Sequence, residues 1–284
     1  MVFDEDSINA EYERRVKSVN ELDERLEFTI SRYISPPEDG SRNDGSACPD
    51  SDDAPPLLLQ NNAMGHLNAA LRVVEFALTD IISIAELERQ AISNIAESSE
   101  LIDSIQSHLH PQIAIGSNLA YIDTYIDIDI EMGGHKAIYN FLNELSTIVD
   151  NVYLMIGEHF GFQERGRGTR AKVARSLKGI NPELAQYLQQ HFYEAVIMME
   201  TQELRNRVSH EIPIYEIEVV RAPRGSPEDY RLGIFIPHES VSMRHEGELE
   251  MHRKLLFDYM FSAYAHILEG TAEVVKRLAD IKPN

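Results

Sequence analysis

The sequence predicts a mainly all-α protein: an antiparallel helical bundle with a long N-terminal helix and a small β-hairpin insert. Apolar residues recur at helical spacing over several long segments, whereas strand-like alternation is confined to short ones. Hydrophobic residues make up 43% of the 284 residues, which is ample for a core. A chain of this length is enough for one large domain or two small ones.

The first part of the chain is predicted to be a helix followed by a linker. Over residues 1–34 the apolar side chains follow helical spacing, which predicts an amphipathic N-terminal helix. They are Tyr12, Val16, Val19, Leu26 and Ile30. Residues 35–56 contain Pro, Gly, Ser and Asp with almost no large apolar side chains. Such a segment buries too little surface to offset its ordering entropy, so we expect a flexible linker.

Residues 57–134 are predicted to form a long helix and a connecting segment. Residues 57–110 carry apolar side chains on an alternating four-three grid, typical of a heptad seam. These are Leu67, Leu71, Val74, Leu78, Ile81, Ala85, Ile92, Ile95, Ile102 and Leu109, with polar breaks at Glu88, Ser99 and Gln106. We favour packing against helices of the same chain over an intermolecular coiled coil.

The connecting segment alternates like a half-buried strand over residues 121–131. Asp127, Asp129 and Glu131 would then share one face, which we interpret as solvated and not as a metal site. Gly133 and Gly134 are expected to separate this segment from the next helix.

Residues 135–284 are predicted to form a helical domain. Its first helix has nine apolar residues on one side: Ile138, Phe141, Leu142, Leu145, Ile148, Val149, Val152, Met155 and Ile156. Residues 184–204 read as an amphipathic helix and residues 255–281 as the last helix. Between them, at about 214–243, two alternating runs flank a turn-rich stretch, which predicts a β-hairpin insert.

Arg205, Asn206 and His210 form the most informative pattern in the chain. Arginine supplies a permanent forked charge, and histidine exchanges protons near neutral pH, as metal-free cleavage of an RNA phosphodiester requires. A separation of five residues corresponds to a rotation of about 140° beyond one full turn of an α-helix. Arg205 and His210 would therefore not lie on the same side of a continuous helix. They converge if His210 lies at a frayed helix end, which Pro213 favours, or if two copies of the motif face each other.

A helical unit with R-N-x-x-x-H at the end of a middle helix resembles the HEPN superfamily, over about residues 135–281. The resemblance implies an all-α, dimeric, metal-independent endoribonuclease of host defence or toxin–antitoxin systems, with Arg205, Asn206 and His210 as catalytic residues. RNA is then the substrate, and an antitoxin or regulatory protein is a further partner. Some members have lost catalysis, so the alternative is a non-catalytic nucleotide-binding, RNA-binding or interaction module. The hairpin departs from a minimal domain of this family.

A basic segment precedes the motif. Six cations fall within fourteen residues with no acid between them: Arg165, Arg167, Arg170, Lys172, Arg175 and Lys178. Clustered arginine lets an acidic protein recruit a polyanion, so Arg167, Arg170, Lys172 and Arg175 are candidate RNA-phosphate contacts. The alternative is a solvated loop that runs into a short helix near Thr169 and balances the acidic surface.

Composition excludes several classes of protein. A net charge of −21 argues against a protein that coats nucleic acid nonspecifically, since such binding needs excess Lys and Arg. The single cysteine, Cys48, allows neither an intrachain disulfide nor a cysteine-based zinc site. We expect no metal and no cofactor. The acidic first residues lack the apolar run of a signal peptide, and no apolar stretch suits a membrane span, which predicts a soluble cytoplasmic protein.

Overall fold

The computed structural model describes residues 5–34, 61–97, 128–162, 168–208, 216–221, 230–235, 255–279 and 281. This described part is almost entirely helical, which confirms the mainly all-α class. It contains α1 (Glu5–Ile34), α2 (Asn61–Glu97), α3 (Ile128–His159), α4 (Thr169–Ile180), α5 (Pro182–Leu188), α6 (Val196–Val208) and α7 (Leu256–Ala279). A π-helical segment, Gln189–Tyr193, lies between α5 and α6 and is called the π-turn below. None of the described helices combines the length and apolarity needed to cross a membrane.

The ends of α3 and α5 follow from their local sequence. After α3, Phe162 N donates to Gly157 O at 2.7 Å and Gly161 N donates to Glu158 O at 3.1 Å. Gly161 has φ of 73°, a left-handed conformation that favours glycine because it has no Cβ. At the start of α5, the Asn181 side chain accepts a hydrogen bond from Leu184 N at 3.0 Å, which caps the helix.

The chain divides into two compact units. The first comprises residues 1–20, 76–144 and 199–263, and the second comprises residues 21–75, 145–198 and 264–284. Several helices contribute residues to both units, so the division does not follow the boundaries of the helices.

A buried ion pair joins α1 and α2 in the first unit. Arg15 Nη1 donates to Glu88 Oε1, and Arg15 Nε donates to Glu11 Oε1 at 3.0 Å. The Arg15 guanidinium also lies 4.8 Å from the ring centroid of Phe257 on α7. Arg15 is 8% exposed and Glu88 is 2% exposed, so both charges are withdrawn from water and depend on each other.

A histidine pair joins the π-turn to α7 in the second unit. The rings of His191 and His266 stack with centroids 3.8 Å apart and planes 9° apart. Each ring donates from Nε2 to the other residue's carbonyl oxygen at 2.8 Å, which fixes the tautomer of both. A Cβ at Gly270 would collide with His191 and come within 2.8 Å of Phe192 Cζ, so glycine is required there. Burial lowers the pKa of His191, which favours the uncharged form of its ring.

The predicted apolar face of α3 is confirmed. All nine side chains expected on one side of this helix are buried. Their spacing of three and four residues places them on one stripe, which explains why periodicity alone identified them.

The strand interpretation of the connecting segment is wrong where the structure describes it. Helix α3 begins at Ile128 and continues through Gly133 and Gly134, which do not separate two elements. Glycine costs only about 1 kcal/mol in a helix interior, so a long helix tolerates it. A Cβ at Gly133 would lie 3.4 Å from both Cδ atoms of Leu87, so the site also suits a small residue. Residues 98–127 lie outside the described part of the chain.

The buried stripe of α2 differs from the predicted heptad grid. Leu71, Leu78 and Ile92 are only half-buried, and the buried positions include the residue before each of them. The buried side chains are Ala63, Leu67, Ala70, Val74, Ala77, Ile81, Ile84, Ala85, Glu88 and Ala91. The predicted grid favoured large apolar residues, whereas burial follows the helix face whatever the size of the side chain. Glu88 therefore occupies the stripe and does not interrupt it.

The predicted single helix over residues 184–204 is wrong. It is divided into α5, the π-turn and α6, and Glu194 N donates to Gln189 O at 2.8 Å. No proline or glycine marks this change in the sequence. The packing of His191 against His266 is a tertiary interaction, and a local helical pattern does not contain it.

Two short segments pair as antiparallel backbone strands, β1 (Glu216–Arg221) and β2 (Tyr230–Phe235), with Glu216 opposite Phe235. The remainder of residues 214–243 lies outside the described part of the chain. The hairpin insert as a whole therefore stays a prediction.

Candidate functional site

Arg205 lies near the C-terminal end of α6 and contacts α3. Its Nε donates a hydrogen bond to Oδ1 of Asn143 at 3.0 Å. The Asn143 amide is held in turn, because its Nδ2 donates to the carbonyl oxygen of Tyr139 at 2.9 Å. A half-buried guanidinium is thus oriented by an amide that has little freedom to rotate.

Buried contacts anchor α6 below Arg205. Thr201 Oγ1 and the Tyr259 hydroxyl form a hydrogen bond of 2.8 Å, and Leu204 is buried directly before Arg205. Burial raises the pKa of Tyr259, so its hydroxyl stays protonated. These contacts attach the last turns of α6 to the core of the first unit, and Arg205 is presented from a fixed position.

The other two motif residues are placed differently. Asn206 is exposed in the last turn of α6. Helix α6 ends at Val208, two residues before His210. His210 itself lies outside the described residues, so its convergence with Arg205 stays a prediction.

Asn143 is a site residue that sequence reasoning missed. It follows the buried pair Phe141 and Leu142 in a strongly apolar helix, and it is only half-buried. The one feature of the sequence that could have identified Asn143 as a site residue is its polar side chain at the edge of the apolar face. Its partner Arg205 is 62 residues away in sequence, a separation that local spacing cannot bridge.

Glu144, the residue after Asn143, belongs to a pair of carboxyl groups. Asp80 on α2 and Glu144 on α3 interact, and Asp80 Oδ2 and Glu144 Oε2 are buried. Neither of these oxygens has a hydrogen-bond donor among the described residues. A proton held between the two carboxyl groups would supply a donor. Burial raises the pKa of Asp80 to about 6, and burial together with the charge of Asp80 raises the pKa of Glu144 to about 7.

Asp80 also lines an open cleft of about 550 Å³ in the first unit. Its walls come from α1, α2 and α3: Tyr12, Thr79, Asp80, Ile82, Ser83, Glu86, Leu87, Gly133, Lys136, Ala137 and Asn140. The Lys136 charge opposes the effect of burial on the Asp80 carboxyl, because it favours the ionised form.

The basic segment is partly described, in the second unit. Arg165 and Arg167 lie outside the described residues, and α4 begins at Thr169 as expected. Arg170 Nε donates to Asp150 Oδ1 at 2.5 Å, and its Nη2 donates to Ser146 O at 2.6 Å. Lys172 and Arg175 are exposed on α4. Arg170 thus binds residues of α3.

The chain matches no protein-family model, no curated protein and no solved structure. Within the described ranges, no three His, Cys, Asp or Glu side chains are grouped to hold a metal ion. The family resemblance therefore rests on the motif Arg205, Asn206 and His210 and on the order of the helices.

Proposed function

We propose that this chain is a metal-independent endoribonuclease that cleaves RNA through the RNA's own 2′-hydroxyl group. It acts as a homodimer in the cytoplasm, in a defence or toxin-type system with an antitoxin or regulatory partner. The observation that carries the proposal is the Arg205 guanidinium held by Asn143 at the end of α6, five residues before His210.

The reaction is an intramolecular displacement at phosphorus. The 2′-oxygen attacks, the bond to the 5′-oxygen breaks, and the products are a 2′,3′-cyclic phosphate and a 5′-hydroxyl. His210 either takes the proton of the 2′-hydroxyl or donates one to the leaving oxygen. Arg205 stabilises the extra negative charge of the transition state, and Asn206 orients His210 or contacts the phosphate.

The helix end makes an arginine necessary at this position. The C-terminal end of a helix carries a partial negative charge, which repels a phosphate placed there. Arg205 in the last turn of α6 offsets that repulsion with a full positive charge. A guanidinium also matches two phosphate oxygens at once, which an ammonium group does not.

A homodimer is part of the proposal because Arg205 and His210 do not share a helical stripe. A frayed helix end at His210, which Pro213 favours, would bring the two side chains closer within one copy. Two copies facing each other would complete the site with a pair of each residue.

We expect Asn143→Ala to lower kcat for RNA cleavage by about tenfold and to leave KM nearly unchanged. Complete loss of one oriented donor is often worth ~10²–10³ in rate. The expected loss is smaller because Arg205 keeps its charge and loses only its orientation. Asn143→Asp keeps an acceptor for Arg205 Nε and should restore part of the rate. Single-turnover cleavage over a range of protein concentrations gives both the maximal rate constant and the half-saturating concentration.

Asn151→Ala is the matched control, because Asn151 Nδ2 donates to Thr147 O at 3.0 Å on the same helix. In an Arg205→Ala background, Asn143→Ala should have no further effect. Additive losses in the double variant would show that Asn143 acts on stability and not through Arg205.

A time course on labelled single-stranded RNA in EDTA tests the function as a whole. Wild-type cleavage that leaves a 2′,3′-cyclic phosphate is the expected result. RNA binding without cleavage would favour the non-catalytic module, and activity that vanishes in EDTA would contradict the metal-independent mechanism.

A further inference from the structure

Tyr139 is an exposed aromatic residue beside the Arg205 contact. It lies on α3 in the first unit, where 43% of it is exposed to solvent. Asn143 follows it by four residues, and Lys136, which is exposed, precedes it by three. Residues three and four apart lie on one side of a helix, so Lys136, Tyr139 and Asn143 share a face.

The distance along this face suits a nucleotide. One helical turn of about 6 Å separates Tyr139 from Asn143 along the axis, and Asn143 holds Arg205. A helical side chain leans towards the N-terminus of its helix, so the Tyr139 ring covers the surface between its own turn and that of Lys136. A cation, an aromatic ring and an oriented guanidinium therefore follow one another along one side of α3.

Exposed hydrophobic residues that stand alone are common and need no function. Tyr139 differs by its position, because its carbonyl oxygen fixes the amide that orients Arg205. Among the other described tyrosines, Tyr153, Tyr259 and Tyr264 are buried, whereas Tyr193 in the second unit is 38% exposed. Lys136 and Tyr139 are both exposed, and a positive charge beside an aromatic ring suits a polyanion with planar bases.

We propose that Tyr139 stacks on a base next to the scissile phosphate of single-stranded RNA, with Lys136 facing the following phosphate. This inference rests on the proposed function and adds the form of the substrate. A stacking residue requires an unpaired base, so the site selects single strands over duplex RNA. Because every base has a π-face, the contact tolerates sequence variation.

Binding of a 12-nucleotide 2′-fluoro RNA, which lacks the nucleophile, tests the inference by fluorescence anisotropy on the full chain. Tyr139→Ala should weaken binding about tenfold, since one stacked base is worth roughly 5- to 150-fold. Tyr139→Phe keeps the ring and should bind like wild type. Phe76→Ala is the matched control, because Phe76 is 61% exposed in the same unit and should leave affinity unchanged.

Removal of single bases locates the contact. Wild type should lose affinity when one particular position is abasic, and that position should no longer matter in Tyr139→Ala. Equal affinity of Tyr139→Ala and wild type would overturn the inference, as would a loss explained by a changed oligomeric state in sedimentation. The wild-type protein could bind this RNA, lose affinity on Tyr139→Ala, and yet never cleave natural RNA. That result would overturn the proposed nuclease activity and support the stacking contact. Absence of any RNA binding overturns both.

Discussion

His210→Ala is expected to abolish RNA cleavage and to leave RNA affinity close to that of wild type. The change removes proton transfer, worth ~10²–10⁴ in rate, but removes little positive charge. Arg205→Lys should also lose most activity, because lysine keeps the charge without the planar fork. His66→Ala, a histidine of α2 in the second unit, serves as the control and should cleave normally.

The measurement is a single-turnover time course with end-labelled RNA in EDTA. Deoxyribose at the scissile nucleotide should block the reaction, since the nucleophile is then missing. A His210→Ala protein that cuts at the wild-type rate would refute the assignment of the proton-transfer residue. A strict monomer that retains cleavage would refute the shared dimeric site.

Glu88→Ala is expected to lower the free energy of unfolding by about 3–5 kcal/mol, because the buried Arg15 charge then keeps only Glu11, whose side chain is 45% exposed, as an acidic partner. Replacing both partners, as Arg15→Met with Glu88→Leu, should cost far less, since no buried charge then remains. Urea denaturation followed by circular dichroism measures the three proteins.

Glu86→Ala is the matched control on the same helix. Glu86 pairs with Arg89 at 2.6 Å, but both side chains are partly exposed, so the pair contributes only about 0–1 kcal/mol. Equal losses for Glu86→Ala and Glu88→Ala would show that burial does not set the cost of breaking these pairs.

The parts of the fold that sequence predicts well are those governed by one helix alone. The buried face of α3 follows from the spacing of its apolar residues, and the start of α4 at Thr169 follows from the glycines before it. The position of Arg205 near the end of α6 agrees with the helical pattern that precedes it.

The features that sequence did not predict depend on partners distant in the chain. Glu88 looks like a break in an apolar pattern until Arg15 is placed against it. The π-turn is hydrogen-bonded to His266, and Arg205 is hydrogen-bonded to Asn143. A polar residue in an apolar helical pattern either interrupts the buried face or lies within it as part of a buried polar pair. Only its tertiary partner distinguishes these two arrangements.

The Asp80–Glu144 carboxyl pair couples folding to the uptake of protons from solution. Ordinary carboxyls titrate at pKa 3.8 and 4.5, so both groups are ionised in the unfolded chain at pH 7. In the folded protein the pKa values are about 6 and 7, so the native state binds more protons than the unfolded state between pH 4 and pH 7. The stability that the pair contributes is therefore present below pH 4 and is lost as pH rises through 6 and 7.

Calorimetry of refolding in two buffers of different ionisation enthalpy measures this uptake directly. Asp80→Asn with Glu144→Gln should abolish it near pH 6, and an unchanged uptake in that variant would assign the protons to other groups. As these two carboxyls take up protons, the self-repulsion of a chain with net charge −21 also falls. The folded protein thus carries less negative charge at neutral pH than its composition implies, and mild acidification favours the compact state of the unit that holds the pair.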